Sequence, residues 1–162
     1  MKKKLLFVCL GNICRSPAAE GVMLQLLEER GLSQSIQVDS AGIHGYHKGD
    51  LPDPRMRKHA LKRGYNLVHR SRPVDVEDFY NFDLIIGMDE QNIADLHEMA
   101  PSTDAEKKIH RMVDYLQKIE ATHVPDPYYG GSEGFELVLD LLEDACDGLL
   151  STLTSESSTQ DS

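Results

Sequence analysis

This sequence has few cysteines, no long apolar run and no excess of basic residues. Its three cysteines, Cys9, Cys14 and Cys146, are too few for a disulfide framework, which favours a reducing compartment such as the cytoplasm. The apolar run from Leu5 to Leu10 ends at a Gly-Asn pair and is too short for a transmembrane helix or a secretory signal. We therefore expect a cytoplasmic protein that does not associate with membranes.

The net charge of −10 argues against binding to nucleic acid, for which a basic face is expected. The charge is unevenly distributed, however. Residues 44–72 contain eight Lys or Arg and two acids, whereas residues 126–162 contain nine acids and no Lys or Arg. The basic stretch predicts a rim that attracts a phosphorylated substrate, and the alternative is an ordinary solvated helix face.

The order of apolar and amphipathic segments predicts an α/β fold. Short apolar runs, typical of buried strands, alternate with helical periodicity, which predicts a parallel sheet covered on both faces with a ligand site at the carboxyl ends of the strands. The predicted strands are residues 5–8, 36–40, 82–86 and, more weakly, 108–112. We expect one domain over residues 1–150, closed by a helix from about Glu133 to Leu150, and a disordered polar tail over residues 151–162.

The stretch from Cys9 to Ser16 follows the first predicted strand and has the composition of an anion-binding loop. A helix is expected to begin at Pro17, because the missing N–H of proline costs nothing at the first helical position. Backbone N–H groups and the helix dipole would then surround an anion, and Gly11 would supply a backbone angle that a larger residue resists. Arg15 offers a planar fork for two phosphate oxygens.

At the floor of such a loop, Cys9 is expected to be a thiolate near neutral pH, because helix N-termini and nearby cations favour the anionic sulfur. A thiolate beneath a bound phosphate is a nucleophile toward phosphorus. The alternative is that Cys9 is an ordinary buried cysteine that stands at this spacing from Arg15 by chance.

Attack on a phosphate monoester also requires a general acid that protonates the leaving oxygen. Asp126 stands between two prolines, which hold it in extended backbone and present its side chain stiffly. Tyr128 and Tyr129 follow directly, and with Tyr46 from another loop they would form an apolar slot for a flat leaving group. The alternatives are that the Asp-Pro pair begins a turn and that the tyrosines are partly buried surface residues.

Taken together, these motifs resemble those of the low-molecular-weight protein-tyrosine phosphatases. The likeness covers the chain from about Leu5 to Leu150, and the motifs stand in the same order. The motifs that carry it are Cys9–Ser16, Ser40-Ala-Gly42, Asp53-Pro-Arg55, Met88-Asp89 with Asn92, and Asp126-Pro-Tyr-Tyr. The resemblance implies a single-domain fold with a four-stranded parallel sheet, helices on both faces and a phosphate-binding loop after the first strand.

The resemblance further implies hydrolysis of phosphotyrosine in proteins, with inorganic phosphate as product and no cofactor. Cys9 would form a phosphocysteine, Arg15 would clamp the phosphate, and Asp126 would act as acid and then as base. The implied phosphate-binding and loop-supporting residues are Leu10, Gly11, Asn12, Ile13, Cys14, Ser16, Ser40 and His69. We expect no metal, since none of the seven histidines stands in a ligand spacing.

The substrate pocket that the resemblance implies is formed by Ile13, Tyr46, Tyr128 and Tyr129. Ile13 matches tyrosine-directed members, whereas threonine marks relatives that act on phosphoarginine, and Tyr46 stands where some members have tryptophan. Cys14 is expected to form a reversible disulfide with Cys9 under peroxide. The expected partners are phosphotyrosine-bearing proteins, and the expected state is a monomer or a weak homodimer.

Two rival functions use the same loop. An arsenate reductase would need further cysteines to carry reducing equivalents, and none lies between Cys14 and Cys146. A non-catalytic module that reads phosphotyrosine would keep Arg15 and the loop, but it has no need of both Cys9 and Asp126. Hydrolysis of p-nitrophenyl phosphate separates that module from an enzyme.

Overall fold

A four-stranded parallel sheet forms the centre of the molecule. The computed structural model describes residues 2–128 and 130–161, with side chains as far as Ser155. The strands, in the spatial order β2-β1-β3-β4, are β1 (Lys3–Cys9), β2 (Ile36–Gly42), β3 (Leu84–Gly87) and β4 (Ile109–Arg111). All neighbouring pairs are parallel. The predicted parallel sheet is confirmed, and each predicted strand is present.

Helices cover both faces of the sheet, as predicted. The helices are α1 (Arg15–Glu29), α2 (Pro54–Lys62), α3 (Asp78–Asn81), α4 (Glu90–Met99), α5 (Thr103–Glu106) and α6 (Ser132–Asp161). Successive residues of β1 point to opposite faces, so Leu5 and Phe7 pack with α1, α2 and α6, whereas Leu6 and Val8 pack with α3, α4 and α5. Burial on both faces explains why the strand is apolar throughout rather than alternating.

The first helix begins earlier than predicted. We expected Pro17 at its first position, but α1 begins at Arg15, which places Pro17 third. The first four N–H groups of a helix have no partner within it, so proline is tolerated anywhere in that turn. The consequence is that the Arg15 and Ser16 backbone already belongs to the helix terminus that faces the loop.

The last helix is longer than predicted. It spans 30 residues and continues through the serine- and threonine-rich stretch that we expected to be a disordered tail from Ser151 onward. Leu153 extends the apolar stripe and is 6% exposed. The Thr152 and Thr154 hydroxyls donate to the carbonyls of Gly148 and Leu150, each at 3.0 Å, so polar side chains are accommodated without leaving the helix.

Two further differences concern short elements. The short helix predicted over residues 74–79 is found at Asp78–Asn81, and a 3-10 turn occupies Met112–Tyr115. No helix within the described residues is long and apolar enough to cross a membrane. The carboxyl ends of β1, β2 and β3 lie side by side, so the loops that follow them meet at one edge of the sheet.

Candidate active site

The loop between β1 and α1 directs its backbone N–H groups away from the rest of the protein. The Leu10 and Ile13 carbonyls accept from the backbone N–H groups of His44 and Asp53, at 3.2 and 2.8 Å. The Gly11 carbonyl accepts from the Ser71 hydroxyl at 3.0 Å. By contrast, the N–H groups of residues 11–14 donate no hydrogen bond within the described chain. Four adjacent free donors at a helix N-terminus are an anion-binding site.

Asn12 holds the shape of this loop. It is fully buried and has the left-handed backbone conformation, with φ 57°. Its amide nitrogen donates to the hydroxyls of Ser16 at 2.7 Å and Ser40 at 3.1 Å. Its amide oxygen accepts from the backbone N–H of Arg72 at 3.1 Å and lies 3.1 Å from His69 Nε2. All four hydrogen-bonding positions of the amide are therefore used.

The backbone role expected of Gly11 belongs instead to Asn12. Gly11 does not have a positive φ, so a conformational demand does not explain glycine at this position. A side chain there would begin 3.2 Å from Cδ2 of His47, which is tighter than ordinary packing. The absence of a side chain at Gly11 makes room for the His47 ring at the pocket wall.

Cys9 ends β1 at the base of the loop. Its sulfur lies 3.1 Å from the Ser16 hydroxyl and accepts from the Ser16 backbone N–H at 3.4 Å. The Ser16 hydroxyl also accepts from the Asn12 amide at 2.7 Å and donates to the Ala41 carbonyl at 3.4 Å. The sulfur therefore lies against both polar groups of Ser16 at the base of the loop.

Arg15 is 2% exposed and is fixed from the side opposite the loop. Its Nη1 donates to Asp89 at 2.6 Å and to the Val124 carbonyl at 3.0 Å, while Nη2 lies 3.6 Å from a carboxylate oxygen of Asp126. Burial alone would lower the pKa of the guanidinium, but the charges of Cys9, Asp89 and Asp126 raise it above its ordinary value. A permanent cation is thereby held over the loop.

A cluster that sequence spacing did not indicate lies behind Asn12. Ligand-type atoms of Glu20, Asp39 and His69 lie within 4.8 Å of one another. The Ser40 hydroxyl donates to Glu20 at 2.6 Å and Arg72 donates to Asp39 at 3.0 Å, so both carboxylates already have partners. We therefore assign the cluster to support of the loop.

Burial changes the proton affinities in this cluster. It raises the pKa of Glu20 to about 7, to which the Asp39 charge adds, and it lowers the pKa of His69. The His69 ring reaches Glu20 through Nδ1, at 3.3 Å, and Asn12 through Nε2. The His69 ring thus connects the Asn12 amide to the Glu20 carboxyl group.

A pocket of about 340 Å³ opens above Cys9 and Arg15. It brings together most of the predicted site residues, together with His44 and His47, which were not predicted. The predicted residues that line it are Cys9, Leu10, Gly11, Ile13, Cys14, Arg15, Tyr46, Asp126 and Tyr128. The pocket is not lined by the other predicted residues that the structure describes, namely Asn12 and Ser16 within the loop and Ser40 and His69 behind it. Tyr129 lies outside the described residues.

The predicted acid, Asp126, is presented on a more exposed segment. Its side chain is 36% exposed, and its Oδ1 accepts from the Tyr128 backbone N–H at 3.0 Å. The segment is anchored at its base by the Val124 N–H, which donates to the Met88 carbonyl at 2.8 Å. The acid, the clamping cation and the sulfur therefore face a single pocket.

Arg55 holds the far side of this segment. Its guanidinium donates to both carboxylate oxygens of Asp53 at 2.9–3.1 Å and to the Tyr128 carbonyl at 2.9 Å. It also lies over the rings of Tyr128 and Phe135. Since the backbone N–H of Asp53 donates to Ile13, this pair connects the phosphate loop to the acid segment. The sequence indicated Asp53-Pro-Arg55 as a motif but not this role.

Cys14 is 3% exposed, and its thiol is free. Burial, together with the charges of Asp53 and Cys9, raises the pKa of this thiol well above its usual range. Cys14 thus stays protonated beside the loop, while Cys9 has donors directed at its sulfur. The two cysteines are chemically distinct.

Comparison with known proteins agrees with this geometry. Residues 4–159 match the family model described as low molecular weight phosphotyrosine protein phosphatase. A Synechocystis protein whose name assigns it to the low molecular weight protein-tyrosine phosphatases is 50% identical over 153 residues, which are 94% of this chain and 98% of that protein. A low molecular weight protein-tyrosine-phosphatase of Bacillus subtilis is 40% identical over 94% of this chain and 96% of its own length.

The fold is shared with a solved structure of the same kind. The crystal structure of a protein tyrosine phosphatase from Entamoeba histolytica, with Hepes in its active site, superimposes with a TM-score of 0.94. It is 49% identical in sequence, and the match covers 96% of this chain and 99% of that one.

Proposed function

Because this chain belongs to the low molecular weight phosphotyrosine protein phosphatases, which hydrolyse phosphotyrosine through a phosphocysteine, we propose that Cys9 is its nucleophile, Arg15 its phosphate clamp and Asp126 its general acid. The observation that carries this proposal is a set of four N–H donors, without a partner in the described chain, above a sulfur that accepts from the Ser16 backbone N–H and lies 3.1 Å from the Ser16 hydroxyl.

In the first step the phosphate dianion binds the loop N–H groups and Arg15. The Cys9 sulfur attacks phosphorus in line, and Asp126 protonates the phenolic oxygen as the P–O bond breaks. The donors are already oriented before the substrate arrives, so little reorganisation is needed as charge develops on the equatorial oxygens. In the second step Asp126 takes a proton from water, which hydrolyses the phosphocysteine and releases inorganic phosphate.

Supporting roles follow from the contacts. The loop is kept in its anion-binding shape by Asn12, Ser16, Ser40 and His69. The backbone N–H of Ser16 also stabilises the thiolate of Cys9. Asp89 orients Arg15 by occupying Nη1, which leaves the other edge of the guanidinium toward the pocket. Ile13, Tyr46 and Tyr128 provide the apolar wall for the tyrosine ring.

Replacing Cys9 with Ser tests the assignment most directly. We expect turnover of p-nitrophenyl phosphate and of a phosphotyrosine peptide to fall on the order of 10⁴–10⁶-fold, because the nucleophile is lost. Phosphate binding, measured by calorimetry, should persist because the N–H donors and Arg15 remain. In the wild type, rapid acid quench with labelled substrate should trap phosphate on Cys9.

Substantial turnover by the Cys9→Ser variant, or a trapped phosphate on another residue, would contradict the assignment. Phosphate binding by the wild type with no hydrolysis of p-nitrophenyl phosphate would favour a phosphotyrosine-reading module instead.

Cys14 has a second, regulatory role in this proposal. Peroxide oxidises the Cys9 thiolate to a sulfenic acid, and the Cys14 sulfur then displaces water to form a disulfide that spares Cys9 from further oxidation. Both thiols are buried and adjacent to the same loop, which supports the pairing.

A further inference from the structure

A second groove adjoins the phosphate pocket along one wall. The groove has a volume of about 450 Å³ and shares Ile13, His47 and Tyr128 with the pocket. Leu51, Pro52 and Pro54 supply apolar surface, and Arg57 of α2 supplies a cation. A peptide whose tyrosine ring occupies the pocket therefore leaves it beside this groove.

The guanidinium of Arg57 has no carboxylate partner in the part of the chain that the structure describes, unlike those of Arg55 and Arg72. Within the described residues it makes no ion pair or side-chain hydrogen bond, whereas Arg55 and Arg72 are each bound to aspartates. Four further cations of residues 44–72 also lack a carboxylate partner within the described chain, namely Lys48, Lys58, Lys62 and Arg70. Residues 44–72 therefore carry several cations that no carboxylate of the described chain neutralises.

Two carboxylates also line the groove, and they differ in availability. Asp53 forms an ion pair with Arg55, which neutralises its charge. Burial alone would raise the pKa of Asp53, but the hydrogen bonds and charge of Arg55 hold it below the ordinary value. Asp50 is exposed and lies 3.5 Å from His47, and no arginine or lysine of the described residues forms an ion pair with it. Asp50 thus opposes an acidic ligand, and Arg57 attracts one.

We infer that this groove is a specificity subsite, in which Arg57 binds an acidic side chain close in sequence to the phosphotyrosine of a protein substrate. The inference rests on the proposed function, since it places the tyrosine in the adjoining pocket. An extended peptide advances about 3.3 Å per residue, so the acidic side chain stands within about three residues of the phosphotyrosine. The apolar floor contacts the carbon atoms of that side chain, and the guanidinium pairs with its carboxylate.

The experiment uses phosphotyrosine peptides in a neutral background. Glu, Leu or Lys is placed at each of three positions on either side, and kcat/KM is measured by phosphate release. We expect Glu on one side to raise kcat/KM by about two- to fivefold over the neutral peptide, because a partly exposed ion pair has that strength. The gain should appear in KM rather than in kcat, since the chemical step is unchanged.

Four variants locate the effect. Arg57→Gln should bring the Glu-to-neutral ratio close to one, and Asp50→Asn should raise it, because the opposing charge is removed. Lys62→Gln is the matched control: it has the same charge change on the same helix but lies outside the groove, so the ratio should persist. Arg57→Lys should retain part of the preference.

Other outcomes overturn the inference. A preference for Leu that is insensitive to Arg57→Gln would show an apolar subsite, and an equal loss in Arg57→Gln and Lys62→Gln would show long-range attraction without a subsite. No preference at all would also overturn it. In each case wild-type hydrolysis of p-nitrophenyl phosphate continues, whereas failure of the proposed function abolishes that hydrolysis.

Discussion

The two halves of the active site are held in different ways. The loop from Cys9 to Ser16 is interior structure: Asn12 and Ser16 are 0% exposed and Arg15 is 2% exposed. Its polar groups bond to one another, to Ser40 of β2 and to the segment around residue 70. The segment that carries Asp126 lies at the surface, and that side chain is 36% exposed.

This difference matches what each half does. The loop must present donors in a fixed arrangement, because electrostatic stabilisation depends on groups oriented in advance. In the proposed mechanism, Asp126 gives up a proton and later accepts one from water, so its segment benefits from access to solvent. A few anchors, at Val124 and at the Tyr128 carbonyl, suffice to hold it over the pocket.

The largest difference between the two halves is expected when Asp126 is replaced, because catalysis should be lost while phosphate binding is kept. Asp126→Ala should lower kcat by about 10²–10⁴ for phenyl phosphate, whose leaving group needs a proton, and much less for a dinitrophenyl phosphate. Phosphate binding should persist. The fully exposed Asp104 is the control, and Asp104→Ala should behave as the wild type. An equal loss for both leaving groups would exclude Asp126 as the acid.

A change at Asn12 tests whether the loop is built before substrate binds. Asn12→Ala should lower the free energy of unfolding by about 2–4 kcal/mol, because buried partners lose hydrogen bonds and alanine is strained at positive φ. Asn12→Gly should recover about 1 kcal/mol of that loss by relieving the strain. Urea denaturation in phosphate-free buffer measures both, since bound phosphate would stabilise the folded state.

The exposed Asn66, with no side-chain hydrogen bond in the described structure, is the control, and Asn66→Ala should change the free energy of unfolding by less than about 0.5 kcal/mol. A loss as small at Asn12 would mean that the loop is organised by ligand rather than by the fold.

Asp144 of α6 holds the stretch that leads into the acid segment. Its Oδ2 accepts from the backbone N–H groups of Gln117, Lys118 and Ile119, at 2.9–3.1 Å. Burial alone would raise the pKa of Asp144, but these bonds lower it below 3.8. Asp144→Ala should therefore cost about 1–2 kcal/mol at pH 7.

The pH dependence of that cost has a definite sign. Because the native pKa is depressed, the stabilisation is present above 3.8 and is lost as the pH falls through the lower native value. The stability difference between wild type and Asp144→Ala should shrink when urea unfolding is repeated at about pH 3. Glu120→Ala, an exposed acid in the same stretch, should show no such difference.

The smallest expected effect concerns the link between the halves. Arg55→Lys keeps the charge but cannot bind both oxygens of Asp53 and the Tyr128 carbonyl together. We expect kcat to fall about three- to tenfold, more for phenyl phosphate than for a good leaving group, because the acid is less well positioned. Arg30→Lys, at the remote Asp147 ion pair, is the control. A loss independent of the leaving group would place Arg55 outside acid positioning.

The residues proposed to have direct chemical roles stand out in the sequence because each lies in a short motif. Cys9 and Arg15 share one loop, and Asp126 stands beside aromatic residues between two prolines. The resemblance named Asp89 and His69, but their contacts could not be predicted, since Asp89 is 74 positions from Arg15, and His69 is 57 positions from Asn12. No local pattern records such pairs.

Some local inferences failed for a physical reason. Gly11 was expected to have the unusual backbone conformation, but Asn12 adopts it, because four hydrogen bonds offset the strain of a non-glycine residue. The residues after Leu150 were expected to be disordered on composition, but α6 continues there, since Leu153 packs on the core.

By itself, the sequence determined the alternation of strands and helices, the apolar character of β1 and the placement of a thiol, a guanidinium and N–H donors within one short turn. These are consequences of local periodicity and of covalent spacing. Tertiary structure alone decided which groups hold that turn in shape and bring the acid to it. The parallel sheet places the carboxyl ends of β1, β2 and β3 at one edge, and hydrogen bonds then form between residues that are far apart along the chain.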